Sequence, residues 1–507
     1  MSQTLSPLLL STFIIPLTFA YVLYVRSQRY LKYEEIHKRY SGRYSLSLEE
    51  KKRTGRPRMT DSYQGVRDAQ RIVRLSTLFD HRFMAKTALE FGLFQTYGIP
   101  TISQLLLHTG QLSKSENAAR RYVDTSGLIM SMMAYPIPKF DLQDQDQVPQ
   151  DASWETLGES RQDPRSAISI ARINWLHRRW KSRISNQDLL YTLSVFVLEP
   201  PKWIDAYEWR KTSELEKEAF FALWYHLGRC MGIQDIPGDR EALARWTQAY
   251  EVAHMVPAES NASVAHHTID LLLYHAPAFI HPYAKRLIVT FMNERLRKAM
   301  TFERPSVAYY LVRDLAIKIR AFVLANFFLP RSSPKSFVPL DCQDQGTVFN
   351  VGKFLAGQDL AGAVCPASGL TASSGKVCPV GGHQKAAQPQ LAPATWRMEF
   401  NYYENEPVYS RGLKPGSFWW MIEVLKVKLG VMKEDDRRGS AKLRSLSLPS
   451  EPKSPIPGLG GYRLEEMGPK GLEMKGREEV LREAEALFGH SLEGIWAFGK
   501  DEPAAAH

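Results

Sequence analysis

Cysteine is scarce in this chain, with four residues (Cys230, Cys342, Cys365 and Cys378) in 507. So few, so widely spaced, do not make the disulfide framework of a small secreted domain, and reduced thiols in a cytosol-facing protein are expected. Other features are missing altogether. There is no Gly-rich phosphate loop, no Gly-x-Ser-x-Gly elbow and no kinase signature, which removes the commonest nucleotide-binding and serine-hydrolase readings. Between Leu75 and Phe328 alternating strand patterns are rare and Gly and Pro are sparse, and no internal repeat stands out. The first 25 residues lack any charged side chain.

That last absence is informative. Leu8 to Val25 reads LLLSTFIIPLTFAYVLYV, long enough at about 1.5 Å per residue to cross most of a bilayer core. Pro16 inside it is tolerated better in a transmembrane helix than in a soluble one. A cleavable signal peptide would want a basic start and a small-x-small site, and neither is present. Basic residues come afterwards instead: Arg26 to Arg58 holds eleven Lys or Arg against four Glu. Positive charge stays in the cytosol, so a single-pass anchor over 1–25 with the bulk of the chain facing the cytosol is expected. The same cluster explains much of the formal net charge of +11, as a membrane-surface patch rather than a nucleic-acid stripe. Tyr21, Tyr24 and Tyr30 sit where an interfacial aromatic belt would place them.

The length suggests two or three units, and 44% hydrophobic residues suffice for a sizeable core. Residues 26–74 read as a basic juxtamembrane segment with a helix over Ser27 to Tyr40. From 75 to 331 apolar residues recur at three and four, the pattern of an all-α domain. Helices are expected over Phe83–Tyr97, Ser115–Met132, Ser166–Trp180, Ser185–Leu198, Glu214–Met231, Arg240–His254, Ser263–His275, Tyr283–Met300 and Val307–Phe327. Ser185 and Ser213 look like helix N-caps, the second with Glu216 as a capping box. Residues 332–393 are rich in Gly, Ala, Ser, Pro and Gln and read as a low-complexity linker. The extension 394–507 reads as partly disordered, with a helix over Gly476–Phe488. Phe418 to Met432 fits a surface amphipathic helix or a core helix equally well.

Three segments hold candidate chemistry. In Ser166 to Trp180, the residues Ile170, Ile173, His177 and Trp180 share one helical face, which aims an imidazole into the core while Arg172, Arg178 and Arg179 point elsewhere. Such a ring needs a partner, either a metal or heme iron or a buried hydrogen bond, and the hydrogen-bonded histidine is the commoner case. In Asn117 to Met130, the residues Arg121, Asp124, Thr125 and Leu128 share a face. The plain account is a local ion pair with the hydroxyl bonded back to its own helix; the functional one is a polar cluster lining a cavity. Glu251 and His254 form Glu-x-x-His, a ligand pair of di-iron bundles, but the only second copy is Glu34-Glu35-Ile36-His37 beside the membrane. Cys365, Cys378 and His383 show loose metal spacing without a fourth ligand. Asn261-Ala262-Ser263 is a formal glycosylation sequon that a cytosolic placement would leave unmodified.

Several runs, in order, resemble the catalytic domain shared by the ER-bound oxygenase MpaB and the rubber oxygenases (latex-clearing proteins). They are Phe94 to Leu107 (FQTYGIPTISQLLL), Ala171 to Trp180 (ARINWLHRRW), Ser185 to Ile204 (SNQDLLYTLSVFVLEPPKWI), Leu227 to Ile233 (LGRCMGI) and Glu251 to Asn261 (EVAHMVPAESN), with a weaker echo at Gly461 to Lys470 (GYRLEEMGPK). The resemblance implies an all-α, globin-like helical bundle behind the N-terminal transmembrane helix, using heme b and dioxygen to cleave isoprenoid double bonds. It implies His177 as the axial iron ligand, with Arg172 nearby at the cofactor. It matches Arg121-Tyr122-Val123-Asp124-Thr125 to an Arg-x-x-Lys-Thr run on the distal side, Asp124 standing where that run has lysine. An ionised aspartate there would handle protons or pair with Arg121. The expected protein is an oxygenase in the endoplasmic reticulum membrane with a lipid-like small-molecule substrate and no nucleic-acid partner. The rivals are a non-heme di-iron oxygenase and a non-catalytic membrane scaffold that keeps the fold.

Overall fold

The computed structural model describes residues 7–112, 115–142, 163–273, 278–332, 348–350, 397–399 and 463–492 (without 470 and 474), with single residues at 334, 336, 338 and 496. Among these the protein is all-α apart from two three-residue strands, Val348–Asn350 and Arg397–Glu399, paired in parallel. The helices are α1 Pro7–Tyr40, α2 Leu48–Thr54, α3 Tyr63–Arg74, α4 Arg82–Thr96, α5 Pro100–Thr109, α6 Ser115–Ala134, α7 Arg165–Arg178, α8 Asn186–Tyr207, α9 Glu214–Cys230, α10 Arg240–His254, α11 Glu259–Leu273, α12 His281–Val289, α13 Glu294–Ala299, α14 Val307–Phe327 and α15 Arg477–Phe488. They fall into two compact units. One comprises residues 1–113, 139–152 and 177–336; the other comprises 114–138, 153–176 and 337–507.

In the first unit α4 packs along α8 and α3 along α9. The α4–α8 approach depends on Gly92, where an added Cβ would lie 2.6 Å from Val195 Cγ1. Phe94, Tyr97, Tyr191, Val195, Tyr250, Ile269, Leu296 and Met300 close the main core between α4, α8, α10, α11 and α13. The caps fall where the sequence places them. Ser185 accepts from the Asp188 amide, and Ser213 and Glu216 form a reciprocal capping box that satisfies two free helix donors. Helix α8 continues past the expected stop at Leu198, through Pro200 and Pro201, because Trp203 and Ile204 are buried against Met84, Ala85 and Ala88 of α4. The single helix expected over 283–300 divides in two, since the Asn293 side chain caps Leu296 (2.8 Å) and begins α13. Helix α3, inside the stretch read as juxtamembrane, is almost wholly buried. Its last turn runs on as a π-helix, Leu75–Asp80, a geometry that recurs at functional sites.

The expected transmembrane span is not found among the described residues. Residues 8–25 belong to the continuous α1, whose side chains are described from residue 15, and among the described residues no helix is long and apolar enough to cross a membrane. The expected linker over 332–393 lies mostly outside the described residues. So do Cys342, Cys365, Cys378, His383 and Phe418 to Met432.

In the second unit α6 and α7 are joined at their ends. Ser166 Oγ donates to the Met132 carbonyl (3.2 Å), and Arg165, fully buried, pairs with Asp163 (2.6 Å) while its guanidinium lies 3.5 Å from the Tyr135 ring centre. The turn Leu464–Glu466 and α15 complete this unit, with Arg477 near both Glu465 (3.8 Å) and Glu466 (3.4 Å).

Candidate active site

Helix α7 is the element on which the candidate chemistry hangs, and its sequence explains how it is held. Arg172 is completely buried. Its Nε donates to the Met467 carbonyl (2.5 Å), Nη1 to Lys475 (2.7 Å) and Nη2 to Leu472 (2.8 Å). A guanidinium presents its donors as a rigid fork, and here that fork captures three carbonyls of one turn-rich segment at once. Two residues on, Asn174 Nδ2 donates to Glu483 (2.7 Å), and Trp175 Nε1 donates to Glu479 (2.9 Å) on α15. Gly476, at φ +70°, abuts the Trp175 ring; a Cβ there would come within 2.1 Å of it. Arg172, expected at the cofactor, therefore acts through the backbone of 467–475 as the residue that positions α7.

His177 sits in the last turn of α7 and is half-buried, not enclosed. The expectation of a core histidine on a uniformly apolar stripe is thus corrected. Ile170 is fully buried, but Ile173, His177 and Trp180 are only partly so, because α7 ends at Arg178 and the face opens toward its terminus. The His177 carbonyl accepts the Trp180 amide (2.9 Å), and the Trp180 ring meets His108 edge to face at 5.8 Å. On α6, Asp124 is completely buried while Arg121 and Thr125 are half-buried. Thr125 Oγ1 donates to the Arg121 carbonyl (2.7 Å), the local back-bond anticipated from the spacing. Arg121, Asp124, Thr125 and Arg172 belong to the second unit. His177, just past the boundary within α7, belongs to the first.

The other candidate ligands are engaged in packing. Glu251 accepts from Gln95 Nε2 (2.7 Å) and from the Tyr191 hydroxyl (3.1 Å), and pairs with Arg295 (3.3 Å). His254 is exposed and lies against Tyr250. His37 Nε2 meets Ser213 Oγ (2.8 Å) and its Nδ1 meets the Tyr33 carbonyl. Among the described residues no three His, Cys, Asp or Glu side chains converge as a metal site would require. A heme iron makes a smaller demand, a single imidazole from the protein, and the half-buried ring of His177 fits it. Asn261 of the sequon is fully buried, its amide within reach of the Gly98, Val256 and Ala299 carbonyls (3.1, 2.9 and 3.1 Å), so the folded chain offers no acceptor for a glycan.

One polar centre gave no signal in the sequence. His81, directly after the π-helix, is completely buried, and neither ring nitrogen finds a hydrogen-bond partner among the described residues. It lies 5.8 Å from the Trp209 ring. Burial first, then the charges of Arg210, Arg320 and Arg29, hold this imidazole well below its ordinary value of 6.5. Beside it Arg210 bridges Asp80 (2.7 Å) and Glu216 (2.9 Å). Burial pushes the Glu216 carboxyl up, but hydrogen bonds and charge from Arg210 outweigh that and leave it lowered.

Comparison with known proteins gives a consistent picture. The family model described as "ER-bound oxygenase mpaB/B'/Rubber oxygenase, catalytic domain" matches residues 109–321, which include α6, α7 and α8 through most of α14. The chain is 33% identical to the ER-bound oxygenase mpaB' of Penicillium brevicompactum over 325 residues, 61% of this chain and 68% of that protein. It is 32% identical to the ER-bound oxygenase mpaB of Penicillium roqueforti over 305 residues, 57% of this chain and 90% of that one.

Proposed function

Since the chain belongs to the family of ER-bound oxygenases mpaB and mpaB' and of the rubber oxygenases, we propose that it is an oxygenase associated with the endoplasmic reticulum membrane that uses heme b and dioxygen to oxidise or cleave an isoprenoid or other unsaturated lipid-like chain. The observation that carries this reading is the half-buried imidazole of His177, at the end of a helix fixed by the Arg172 fork. A reactive cofactor needs a ligand on a rigid element. Bound heme would supply the redox chemistry that lets dioxygen react with a carbon–carbon double bond.

The protein's own groups divide the remaining work. His177 would hold the iron through one ring nitrogen, with the other left to an acceptor that fixes the tautomer. Arg121 would donate hydrogen bonds to an oxygen ligand or a propionate. The Thr125 hydroxyl spends its proton on the Arg121 carbonyl and so presents lone pairs rather than a donor. Asp124, completely buried, would carry a proton for the reaction or pair with Arg121. The apolar first part of α1 would keep the domain at the membrane where greasy substrates partition. Purified full chain in detergent should show a Soret band, and His177→Ala should remove it while leaving the helical circular dichroism intact. A Soret band that survives His177→Ala at wild-type intensity removes His177 from the role. Oxygen uptake on addition of a farnesylated lipid tests the reaction itself.

A further inference from the structure

Helix α14 is built inside out. Its exposed positions are Val307, Ala308, Leu311, Val312, Leu315, Ala316, Ile319, Phe322 and Phe327, with Lys318 the one charge among them. Leu311, Leu315 and Phe322 are 64%, 61% and 61% exposed. The charged groups turn the other way: Arg313 reaches the Thr290 carbonyl and Asp314, and Arg320 pairs with Glu208 (3.0 Å) and covers the Phe83 ring. A helix on a water-facing surface shows the opposite arrangement, polar side outward. The outward stripe from Val307 to Phe322 runs about 22 Å at the helical rise.

This stripe does not stand alone. Helix α14 packs against α1, whose Ile15, Leu17, Phe19 and Leu23 are also exposed, and against α12, which bears exposed Tyr283. Its end is tied to α1 by Tyr21 Oη to the Phe327 carbonyl (3.0 Å), Arg29 Nη2 to Phe328 (2.6 Å) and Lys32 Nζ to Arg331 (3.0 Å). Apolar surface on this scale, with exposed Tyr21 and Tyr283 and the partly exposed cation Lys32 on the neighbouring helices, has the composition of a membrane–water boundary. We propose that the outward face of α14 lies in the headgroup–acyl boundary of a bilayer containing anionic lipid. It is a second membrane contact beside the first part of α1, and it sets how the domain sits on the surface. Four charged residues within the helix fit lying on a membrane rather than crossing it. The inference rests on the reading that α1 holds the chain at a membrane.

The test uses the full chain in vesicles of phosphatidylcholine and phosphatidylserine. Cys342, Cys365 and Cys378 are replaced by Ser; Cys230 stays, since it is buried and burial raises its thiol pKa. Single Leu315→Cys, Phe322→Cys, Ile15→Cys and Glu241→Cys variants carry an environment-sensitive fluorophore, and spin-labelled lipid is the quencher. The expected result is a blue shift and quenching at 315 and 322 at least half as strong as at 15, with none at 241. Quenching at 15 alone overturns the α14 contact and leaves the α1 anchor standing. Quenching at none of the three overturns both. A blue shift at 315 and 322 that depends on protein concentration but not on quencher shows that a second copy covers this face, and it overturns the proposal too.

Discussion

At the scale of single residues, His81 and Arg172 show two ways of burying a polar side chain. The His81 ring is enclosed as a neutral group among guanidinium groups. In the unfolded chain an imidazole titrates near 6.5, and in the folded protein this one titrates lower. Between those two values the unfolded chain takes up a proton that the native one refuses. The contribution to stability is therefore complete above about pH 6.5 and shrinks as the pH falls, by at most about 1.4 kcal/mol per pH unit. His81→Leu should flatten the acid limb of stability between pH 6.5 and 5, read from denaturation midpoints. An acid limb parallel to that of the unaltered protein would assign the loss to other groups. Arg172 instead satisfies three carbonyls, and a lysine in its place reaches one of them at best. Arg172→Lys should cost about 2–4 kcal/mol, from acceptors left buried and unpaired, and should lower the denaturation midpoint accordingly.

At the scale of elements, the limits of α10 and α14 and the caps at Ser185 and Ser213 were legible in periodicity and side-chain chemistry, because those signals are local. Helix α3 was not. Arg67, Asp68, Gln70, Arg71 and Arg74 look like a solvated surface, yet all are buried. Asp68 alone receives the Tyr44 hydroxyl (2.6 Å), Gln64 (2.8 Å) and Arg71 (3.1 Å), and such internal pairing leaves no trace in hydrophobic patterning. The residues of the candidate site were recognisable as types, but the use of Arg172 was not, since its acceptors are backbone carbonyls some 300 positions away. Gly476 is a similar case. It combines a left-handed backbone with an aromatic ring where a side chain would be. Gly476→Ala should push Trp175 off Glu479 and destabilise the protein by about 1–3 kcal/mol or more, seen as a lower thermal midpoint.

At the scale of the whole molecule, the family match ends at residue 321, whereas the groups that clamp α7 begin at Met467. Part of what holds α7 is therefore supplied from outside the matched segment. Deleting residues 463–507 should remove the Met467, Leu472, Lys475 and Glu479 acceptors of Arg172 and Trp175 and make α7 susceptible to limited proteolysis. A truncated chain as protease-resistant as the full one would show that α7 is stable without the clamp. The bond from Arg172 to Lys475 spans 303 positions. At ribosomal speeds of about 5–20 residues per second, the helix bearing His177 waits roughly 15–60 s for its last acceptor to be made. Throughout that interval the nascent chain carries the Arg172 guanidinium without these three carbonyls. A message cut short after the matched region would thus yield a polypeptide with every expected site residue present and the helix beneath His177 unsecured.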